Sequence, residues 1–441
     1  MITVNNLKKI VLLSLPIIGG MISQNLLNLV DTAMVGQLGA VALAAVGVGS
    51  FAVFMSQALV LGVSSGVQAV TSRRVGEGNI SMAGVSLTSG IVIATLLGAL
   101  LTALIYPFVP LLFSFLNADT NVAELAVPYW RIRLLAMIFM GINYAFRGYF
   151  NGISQPQYYM FSLIAIHIIN VILNYVLIYG HLGFPALGTS GAALASAIAT
   201  VFGSIIYIFL SHFKLQHLRI FHTKPLLSDI KNVFTLTLPA GVQQFMIAAG
   251  VSSLFWVVGL LGVTEVAALN ILINILMTCL LPGFGFGMAS ATLVGTSLGE
   301  QNKNNAKQWA YDVAKVGGVL TLTAGLFISF FAAPILEVFT NDTATIQAAL
   351  TPLRITGAFI FIDIMGIIMM NSLLGSGDVG VVLRTSLSLQ WLFFFPIAVL
   401  LVFMFNPSFL IIWLLFISSR LGQGLVYVYY WHNEKWGDKK I

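Results

Sequence analysis

The chain has 441 residues, of which 59% are hydrophobic and only 8% are charged, and its mean hydropathy is +0.97. Soluble domains carry about 25% charged residues, so this composition excludes a soluble globular protein and predicts an integral membrane protein. The formal net charge is +6 at pH 7. The basic residues that produce it lie in loops on one predicted membrane face, so no nucleic-acid partner is expected.

Twelve apolar segments are long enough to cross a membrane. About 20 residues span the hydrocarbon core, and a backbone exposed to lipid must satisfy its own hydrogen bonds, which favours helices. We therefore predict an all-α integral membrane protein. In chain order the predicted spans are residues 10–36, 43–72, 82–112, 123–149, 157–180 and 189–212, followed by 228–258, 265–297, 305–334, 344–373, 381–405 and 408–432.

The second half of the chain repeats the first. When residues 9–156 are shifted by 223 positions without a gap, Pro16 aligns with Pro239 and Gly62 with Gly285. Six spans in each half return the chain to the same membrane face, so the repeats are parallel, as in many secondary transporters. We predict two pseudo-symmetric six-helix bundles around a central cleft. They comprise an N-terminal lobe at 1–213, a cytoplasmic linker at 214–227 and a C-terminal lobe at 228–441.

Basic residues mark one membrane face. The positive-inside tendency assigns that face, with both termini, to the cytoplasm, which predicts a multi-pass protein of the bacterial inner membrane. The opposite face carries acids such as Asp119 and Glu337. The basic residues of the first half include Lys8, Lys9, Arg73, Arg74, Arg147 and Lys231, and those of the second half include Lys303, Lys307, Arg384 and Lys435.

Motifs for enzymatic chemistry are missing from the sequence. It contains no Gly-Lys dipeptide and no His-Glu-x-x-His, so neither a Walker A loop nor a zincin site is encoded. The single cysteine, Cys279, excludes an intrachain disulfide and argues against a metal cluster. We expect a transporter rather than an enzyme, with no cofactor and with an ion gradient as its energy source.

A polar stripe in the first span carries an intramembrane acid. Gln24, Asn28 and Asp31 share one helical face, and the second copy has only aliphatic residues at those positions. A buried ion costs at least about 2.5 kcal/mol, so such an acid usually faces a cavity and carries protons, ions or a cationic substrate. The alternative is a carboxyl that is permanently hydrogen-bonded between helices.

Further polar residues could join that acid or could only pack helices together. His167, Asn170 and Asn174 share one face of the fifth span, and Ser196 and Thr200 lie one turn apart in the sixth. Such groups are often interhelical contacts. In the tenth span, Asp363 is a second acid whose counterpart in the first copy is Met140, and functional and structural roles are both open. Arg131, Arg133 and Arg354 are expected to snorkel to the interface.

These features together resemble the multidrug and toxic compound extrusion family. The resemblance covers essentially the whole chain, and the lone Asp31 is most similar to the DinF-type bacterial branch. It rests on the duplicated halves, the Pro16 to Asp31 spacing, the turn Gly36–Gly39, and the motifs Val75-Gly76-Glu77-Gly78-Asn79, Phe146-Arg147-Gly148-Tyr149-Phe150-Asn151-Gly152 and Gln155-Pro156.

The resemblance implies an antiporter that exports organic cations and amphipathic drugs by alternating access, in exchange for H⁺ or Na⁺. Asp31 matches the family's coupling aspartate, Asn170 its asparagine partner, and Pro16 a hinge. Where the branch commonly has a second aspartate this chain has Asn174, which favours one proton per cycle. Asp363 matches an acid of the NorM-type branch and would be a C-lobe cation site, although the matching glutamate of the seventh helix is absent. We expect a monomer whose partners are drugs and membrane lipids.

Two other functions remain open on the sequence alone. A lipid-linked oligosaccharide flippase of the same superfamily would need a basic cavity, whereas the intramembrane charges noted above are acidic. A channel or receptor is disfavoured because the repeat is twofold and the sequence has no ring of identical filter residues and no ligand domain.

Overall fold

The computed structural model describes residues 2–117, 119–213, 221–405 and 407–439, and the predicted linker at 214–227 lies partly outside them. The described chain is helical almost throughout. Its α-helices are α1 Val4–Gly36, α2 Ala40–Gly76, α3 Ile80–Ile105, α4 Val109–Leu116, α5 Thr120–Leu135, α6 Met137–Gly152, α7 Pro156–Tyr179, α8 Gly188–Phe213, α9 Leu227–Gly259, α10 Val263–Gly299, α11 Lys303–Phe330, α12 Ala332–Phe339, α13 Thr343–Ser376, α14 Val379–Leu387, α15 Phe395–Phe405 and α16 Phe409–His432.

The predicted all-α membrane fold is confirmed. Within the described residues, eleven helical segments are long and apolar enough to cross a membrane, and the bent pair α5 and α6 supplies a twelfth span. Two of these segments are composite: α3 continues through a 3₁₀ turn into α4, and α14 continues through a π-helical stretch, Ser388–Phe394, into α15.

The fourth predicted span, 123–149, is not one straight helix. It bends by 53° between α5 and α6, because the chain leaves the α-helical hydrogen-bond pattern at Ala136. There the amide of Ala136 donates to the carbonyl of Arg133, three residues back. The carbonyl of Leu134 instead accepts a hydrogen bond from the Thr102 hydroxyl, at 2.8 Å. A side chain on the neighbouring helix α3 thus satisfies a backbone group that the bend exposes.

The chain divides into two compact units, one formed by Met1–Ile18 with Gln243–Ile441 and the other by Gly19–Val242. The divisions fall within α1 and α9, just after the helix-interior prolines Pro16 and Pro239. A proline removes a backbone donor from the helix interior and permits bending there. The predicted division into lobes at 213 and 228 stays a prediction.

Glycines set the helix spacing inside the unit formed by Gly19–Val242. A Cβ on Gly148 of α6 would overlap the carbonyl of Ser64 on α2, and one on Gly62 of α2 would overlap the backbone of α9 at Thr237 and Gly241. Backbones that approach this closely bring helices together by dispersion and packing, which is the main force between helices in lipid.

The unit formed by Met1–Ile18 and Gln243–Ile441 is held at its C-terminal end by aromatic and ionic contacts. After α16, Trp436 stacks on Trp431 with ring centroids 3.9 Å apart, and both side chains are buried. Ion pairs join Glu434 to Lys307 of α11, and Asp438 to Lys303 at 3.2 Å. The segment after α16 is therefore bound to the N-terminal turns of α11.

Asp342 caps the N-terminus of α13 and supplies a pH-dependent contact outside the membrane. Hydrogen bonds from the Thr345 hydroxyl and amide, at 2.6 and 3.0 Å, hold the pKa of this carboxyl below its usual value. A pKa depressed by folding contributes stability above the unfolded value of about 3.9, and that stability is lost as the pH falls through the folded value. We expect Asp342→Ala to lower the melting temperature at neutral pH, and the difference from wild type to shrink below about pH 3. A pH-independent difference would contradict this assignment.

Candidate functional site

The Asp31 carboxylate lies in a polar cluster between α1 and α7. Its Oδ1 accepts a hydrogen bond from the side-chain amide of Asn174 at 2.6 Å, and Asn174 is fully buried. A charge-assisted hydrogen bond of this length is among the stronger kinds. Within the described chain, Asp31 takes part in no ion pair at contact distance. Its direct partner is therefore a neutral amide.

Asn170 extends the cluster towards α8. Its side-chain oxygen accepts from the Asn174 amide at 3.0 Å, and its amide donates to Ser196 Oγ at 3.1 Å. Rotating the Asn170 amide about its terminal bond aims its NH₂ group at Asp31 Oδ1, 3.1 Å away. Either asparagine can thus donate to the carboxylate. When the Asn170 amide is rotated, the Ser196 hydroxyl donates to its oxygen instead of accepting from its NH₂ group, because a hydroxyl can do both.

A second hydrogen-bonded chain runs along α1 and is anchored by His167. The Nδ1 atom of His167 lies 2.7 Å from Ser23 Oγ, and its Nε2 atom lies 3.2 Å from Gln24 Oε1. Gln24 in turn donates to Asn28 Oδ1 at 3.2 Å. Because an amide oxygen only accepts, this order of donors assigns the proton to Nε2 and makes Nδ1 the acceptor of the Ser23 hydroxyl.

The local sequence explains why these groups face one another. His167, Asn170 and Asn174 recur at helical spacing on α7, and all three are buried in an otherwise apolar helix. On the neighbouring surface, Val176 and Leu177 of α7 pack with Ala195 of α8. This apolar contact holds α7 against α8, and hydrogen bonds from Asn174 and His167 join the polar face of α7 to the polar stripe of α1.

Thr200 stands apart from the cluster. Its hydroxyl donates to the carbonyl of Ser196 at 2.7 Å, within its own helix. The carbonyl of Thr200 accepts from Asn143 of α6 at 3.0 Å. The structure therefore brings Asp31, Asn174, Asn170 and Ser196 into one connected set and leaves Thr200 as a helix-packing residue.

Arg133 adds a cation that the sequence analysis assigned to the interface. Its Nε atom is shielded from solvent and has no hydrogen bond to a described residue. Arg133 lies three residues before the α5 and α6 bend, so its position depends on that break. Hydropathy does not predict this bend. The sequence alone therefore led only to the expectation that Arg133 snorkels to the membrane interface.

Asp363 lies in a different environment, between α13 and α16. The guanidinium of Arg420 contacts it with Nε and Nη2, each 2.9 Å from Asp363 Oδ2. Arg420 was not among the residues predicted from the sequence. A basic residue within the apolar twelfth span was the signal that could have pointed to it, because charges inside spans are usually paired.

No metal centre accompanies these residues in the described part of the chain, which has no group of three or more His, Cys, Asp or Glu positioned to hold a metal ion. The donors around Asp31 are amides, hydroxyls and one imidazole. Such a set can hold a carboxyl in two protonation states, because each neighbour can both donate and accept or can be rotated to do so.

The sequence model of the MatE family matches residues 16–176 and again residues 239–400, well over half of the chain. The chain belongs to the MatE family. The two matches begin at Pro16 and Pro239, which the 223-residue shift aligns, so the family comparison reproduces the internal repeat. The predicted membership of the multidrug and toxic compound extrusion family is confirmed. The protein is a multi-pass membrane transporter and not an enzyme, whereas the DinF-type branch stays a prediction.

Named relatives cover nearly the whole chain. A probable multidrug resistance protein NorM of Thermotoga maritima is 25% identical over 440 residues, covering 98% of this chain and 94% of the relative. A probable NorM of Pasteurella multocida is 28% identical over 394 residues, covering 88% and 85%.

Solved structures share the fold. An outward-facing multidrug resistance MATE family transporter of the MOP superfamily superposes with a TM-score of 0.89 at 24% identity, covering 98% of this chain and 97% of that one. A MOP superfamily transporter from Pyrococcus furiosus, described as having a binding pocket of reverse polarity, gives 0.88 at 23% identity, covering 98% and 97%. At these identities the likeness concerns the fold alone.

Proposed function

We propose that this transporter exports organic cations and other amphipathic drugs in exchange for protons, with Asp31 as the group that gains and loses the proton. The observation that carries the proposal is the 2.6 Å hydrogen bond from the buried Asn174 to the half-buried Asp31 carboxylate, whose hydrogen-bond partner is a neutral group. No cationic side chain of the described chain lies at contact distance from Asp31. A proton or a cationic substrate can therefore neutralise this carboxylate.

The two ligands then compete for one charge. Deprotonated Asp31 attracts a cationic drug, and protonation removes that attraction and turns one carboxyl oxygen from an acceptor into a donor. The hydrogen bond from Asn174 to Oδ1 then loses its charge assistance and weakens, which frees the two asparagines to rearrange. We propose that this rearrangement, together with bending of α1 at Pro16, releases the drug outward. Deprotonation to the cytoplasm resets the carrier by alternating access.

The composition of the cluster favours protons over Na⁺. A Na⁺ site needs several oxygen ligands, and hard cations prefer carboxylate and carbonyl oxygens. In the Asp31 cluster, Asn174 presents its NH₂ group to the carboxylate rather than its oxygen. We place the transporter in the bacterial inner membrane with both termini cytoplasmic, on the strength of the basic residues on one predicted face.

Proteoliposomes with separately imposed ion gradients test the coupling. Purified protein is reconstituted, and uptake or release of ethidium is followed after a pH jump at constant Na⁺ and after a Na⁺ jump at constant pH. We expect transport with the pH jump and none with the Na⁺ jump. Transport that follows Na⁺ alone would overturn proton coupling, and the absence of transport for a panel of organic cations would overturn drug export.

A second carboxylate at position 174 should change the coupling. In Asn174→Asp the new carboxyl lies within hydrogen-bond distance of Asp31, and two carboxylates that share a site do not both ionise readily. Near neutral pH we expect Asn174→Asp to bind one proton more than wild type. When both carboxyls are protonated, we expect it to bind a cationic drug about tenfold more weakly than wild type does. Asn28→Asp, on the exposed part of the stripe, is the matched control. An unchanged proton count in Asn174→Asp would contradict the placement of the two groups.

A further inference from the structure

Asp363 and Arg420 form an ion pair inside the helices of the unit that contains Gln243–Ile441. Arg420 approaches from α16 and makes two contacts of 2.9 Å to one carboxylate oxygen of Asp363 on α13. Both side chains are largely shielded, with 12% of Asp363 and 20% of Arg420 exposed. Charges at such positions are costly unless they are paired with each other.

Among the described residues, no other charged side chain lines the surroundings of the Asp363 carboxylate. The small cavity beside it is lined otherwise by aliphatic and aromatic residues and one threonine, namely Leu276, Thr356, Phe359, Ile360, Ile417 and Leu421. The Thr356 hydroxyl donates to the Pro352 carbonyl at 2.8 Å and accepts from Trp413 Nε1 at 3.0 Å, so it is already engaged.

Arg420 is held in place by contacts of its own. Its guanidinium lies 5.9 Å from the centroid of the Phe416 ring, one turn earlier on α16. Tyr427, two turns later on α16, does not engage Arg420, because its hydroxyl lies 2.9 Å from Ser386 Oγ. The guanidinium therefore has Asp363 as its only anionic contact in the described chain.

We propose that Arg420 is a tethered counter-cation that excludes protons and Na⁺ from Asp363, so that this carboxylate takes no part in ion coupling. This inference rests on the proposed proton-coupled function. A guanidinium stays charged at any physiological pH, and because it is covalently attached it cannot be released to either side of the membrane. It therefore fills the place at Asp363 that an exchangeable cation would otherwise take.

The contrast with the first half supports this assignment. Asp31 is contacted by a neutral amide, and Asp363 is contacted by a permanent cation at the same kind of distance. The counterpart of Asp363 in the first copy is Met140, so the first half does not repeat this ion pair. Asp31 and Asp363 thus have different types of partner, and of these two carboxylates only Asp31 lacks a cation at contact distance.

Proton titration of four purified proteins tests the proposal without any drug. Wild type, Asp363→Asn, Arg420→Gln and the double variant Asp363→Asn/Arg420→Gln are titrated between about pH 5 and about pH 8, and protons bound per protein are compared. We expect wild type, Asp363→Asn and the double variant to bind equal numbers. Arg420→Gln should bind up to about one more, because a carboxyl freed from its counter-cation in an apolar span favours the protonated form.

Two outcomes would contradict the proposal that Arg420 is a tethered counter-cation. One is that Asp363→Asn or the double variant binds fewer protons than wild type, which would make Asp363 exchangeable in the native protein. The other is that a folded Arg420→Gln protein binds no more than its double variant. If Arg420→Gln does not fold, the comparison of wild type with the double variant still decides the first point.

The same proteins separate this inference from the proposed function. In ethidium transport driven by a pH gradient, the double variant should work within about twofold of wild type, and Asp363→Asn should be impaired at least about tenfold because it leaves an unpaired buried guanidinium. A wild type that transports no drug would remove the proposed function and leave the titration result untouched. A double variant as inactive as Asp363→Asn would contradict the inference.

Discussion

Replacing Asp31 by Asn is expected to abolish proton-driven accumulation of drug outside the cell. The substitution keeps the size of the side chain and a hydrogen-bond acceptor for Asn174, but the side chain can no longer change its charge. A one-for-one exchange of a proton for a monovalent cation sustains about a tenfold gradient per pH unit. For a neutral drug, a potential of about 100 mV adds roughly 40-fold more. Asp31→Asn should sustain no drug gradient from either source.

The measurement is the steady-state level of ethidium in cells that overexpress each protein at matched abundance. Asp229→Asn is the control, because Asp229 is a partly exposed acid outside the Asp31 cluster, and its carboxylate accepts a hydrogen bond from the Leu226 amide at 2.9 Å. The control should export like wild type. Undiminished efflux by a well-expressed Asp31→Asn protein would make the carboxylate a structural group.

The second large effect is expected at Gly62. A methyl group there would overlap the backbone of Thr237 and Gly241 on α9, and neither backbone can rotate away as a side chain could. Overpacking of this kind costs about 1–3 kcal/mol or more. We expect Gly62→Ala to lower the melting temperature in detergent by several degrees and to reduce transport, because α2 and α9 must separate to accept the methyl group.

Gly47 provides the matched control on the same helix. It has nothing within 4 Å of its would-be Cβ, so Gly47→Ala should leave stability unchanged or raise it slightly, since alanine favours the helix more than glycine does. Equal losses in the two variants would contradict a specific contact between α2 and α9 at Gly62.

Hydropathy and the repeat predicted the spans well because both depend on the chain crossing the same apolar medium many times. The spans at 43–72 and 265–297 lie wholly within α2 and α10. The break between α5 and α6 was not predicted, because Pro128 lies well before it and no glycine marks it. That break depends on the Thr102 hydroxyl from another helix, which is a tertiary contact.

The sequence predicted which residues belong to the candidate site, but it did not predict which of them contact each other. Helical spacing placed Asn170 and Asn174 on one face, but only the structure shows that Asn174 is the residue at 2.6 Å from Asp31. Spacing within α7 does not determine which residue faces α1, since that depends on the rotation of the helix. Ser23 was missed for the same reason: its bond to His167 joins two helices.

Pairing between charges on distant spans was the least predictable feature. Asp363 and Arg420 are separated by 57 positions, and a repeat alignment that centred on 9–156 did not extend to α16. A rule that every charge inside a span needs a named partner would have joined them. The same rule singles out Asp31 as an intramembrane acid with only a neutral hydrogen-bond donor at contact distance.

Proton release on drug binding tests the central claim most directly. Purified wild-type protein in weakly buffered detergent solution is mixed with a saturating organic cation at a series of pH values from about 5 to about 7, and the released protons are counted with a pH indicator. We expect the release by wild type to rise to about one proton per drug molecule at the acidic end of this range, and we expect no release by Asp31→Asn at any pH. Drug binding by wild type without proton release, or undiminished release in Asp31→Asn, would contradict it.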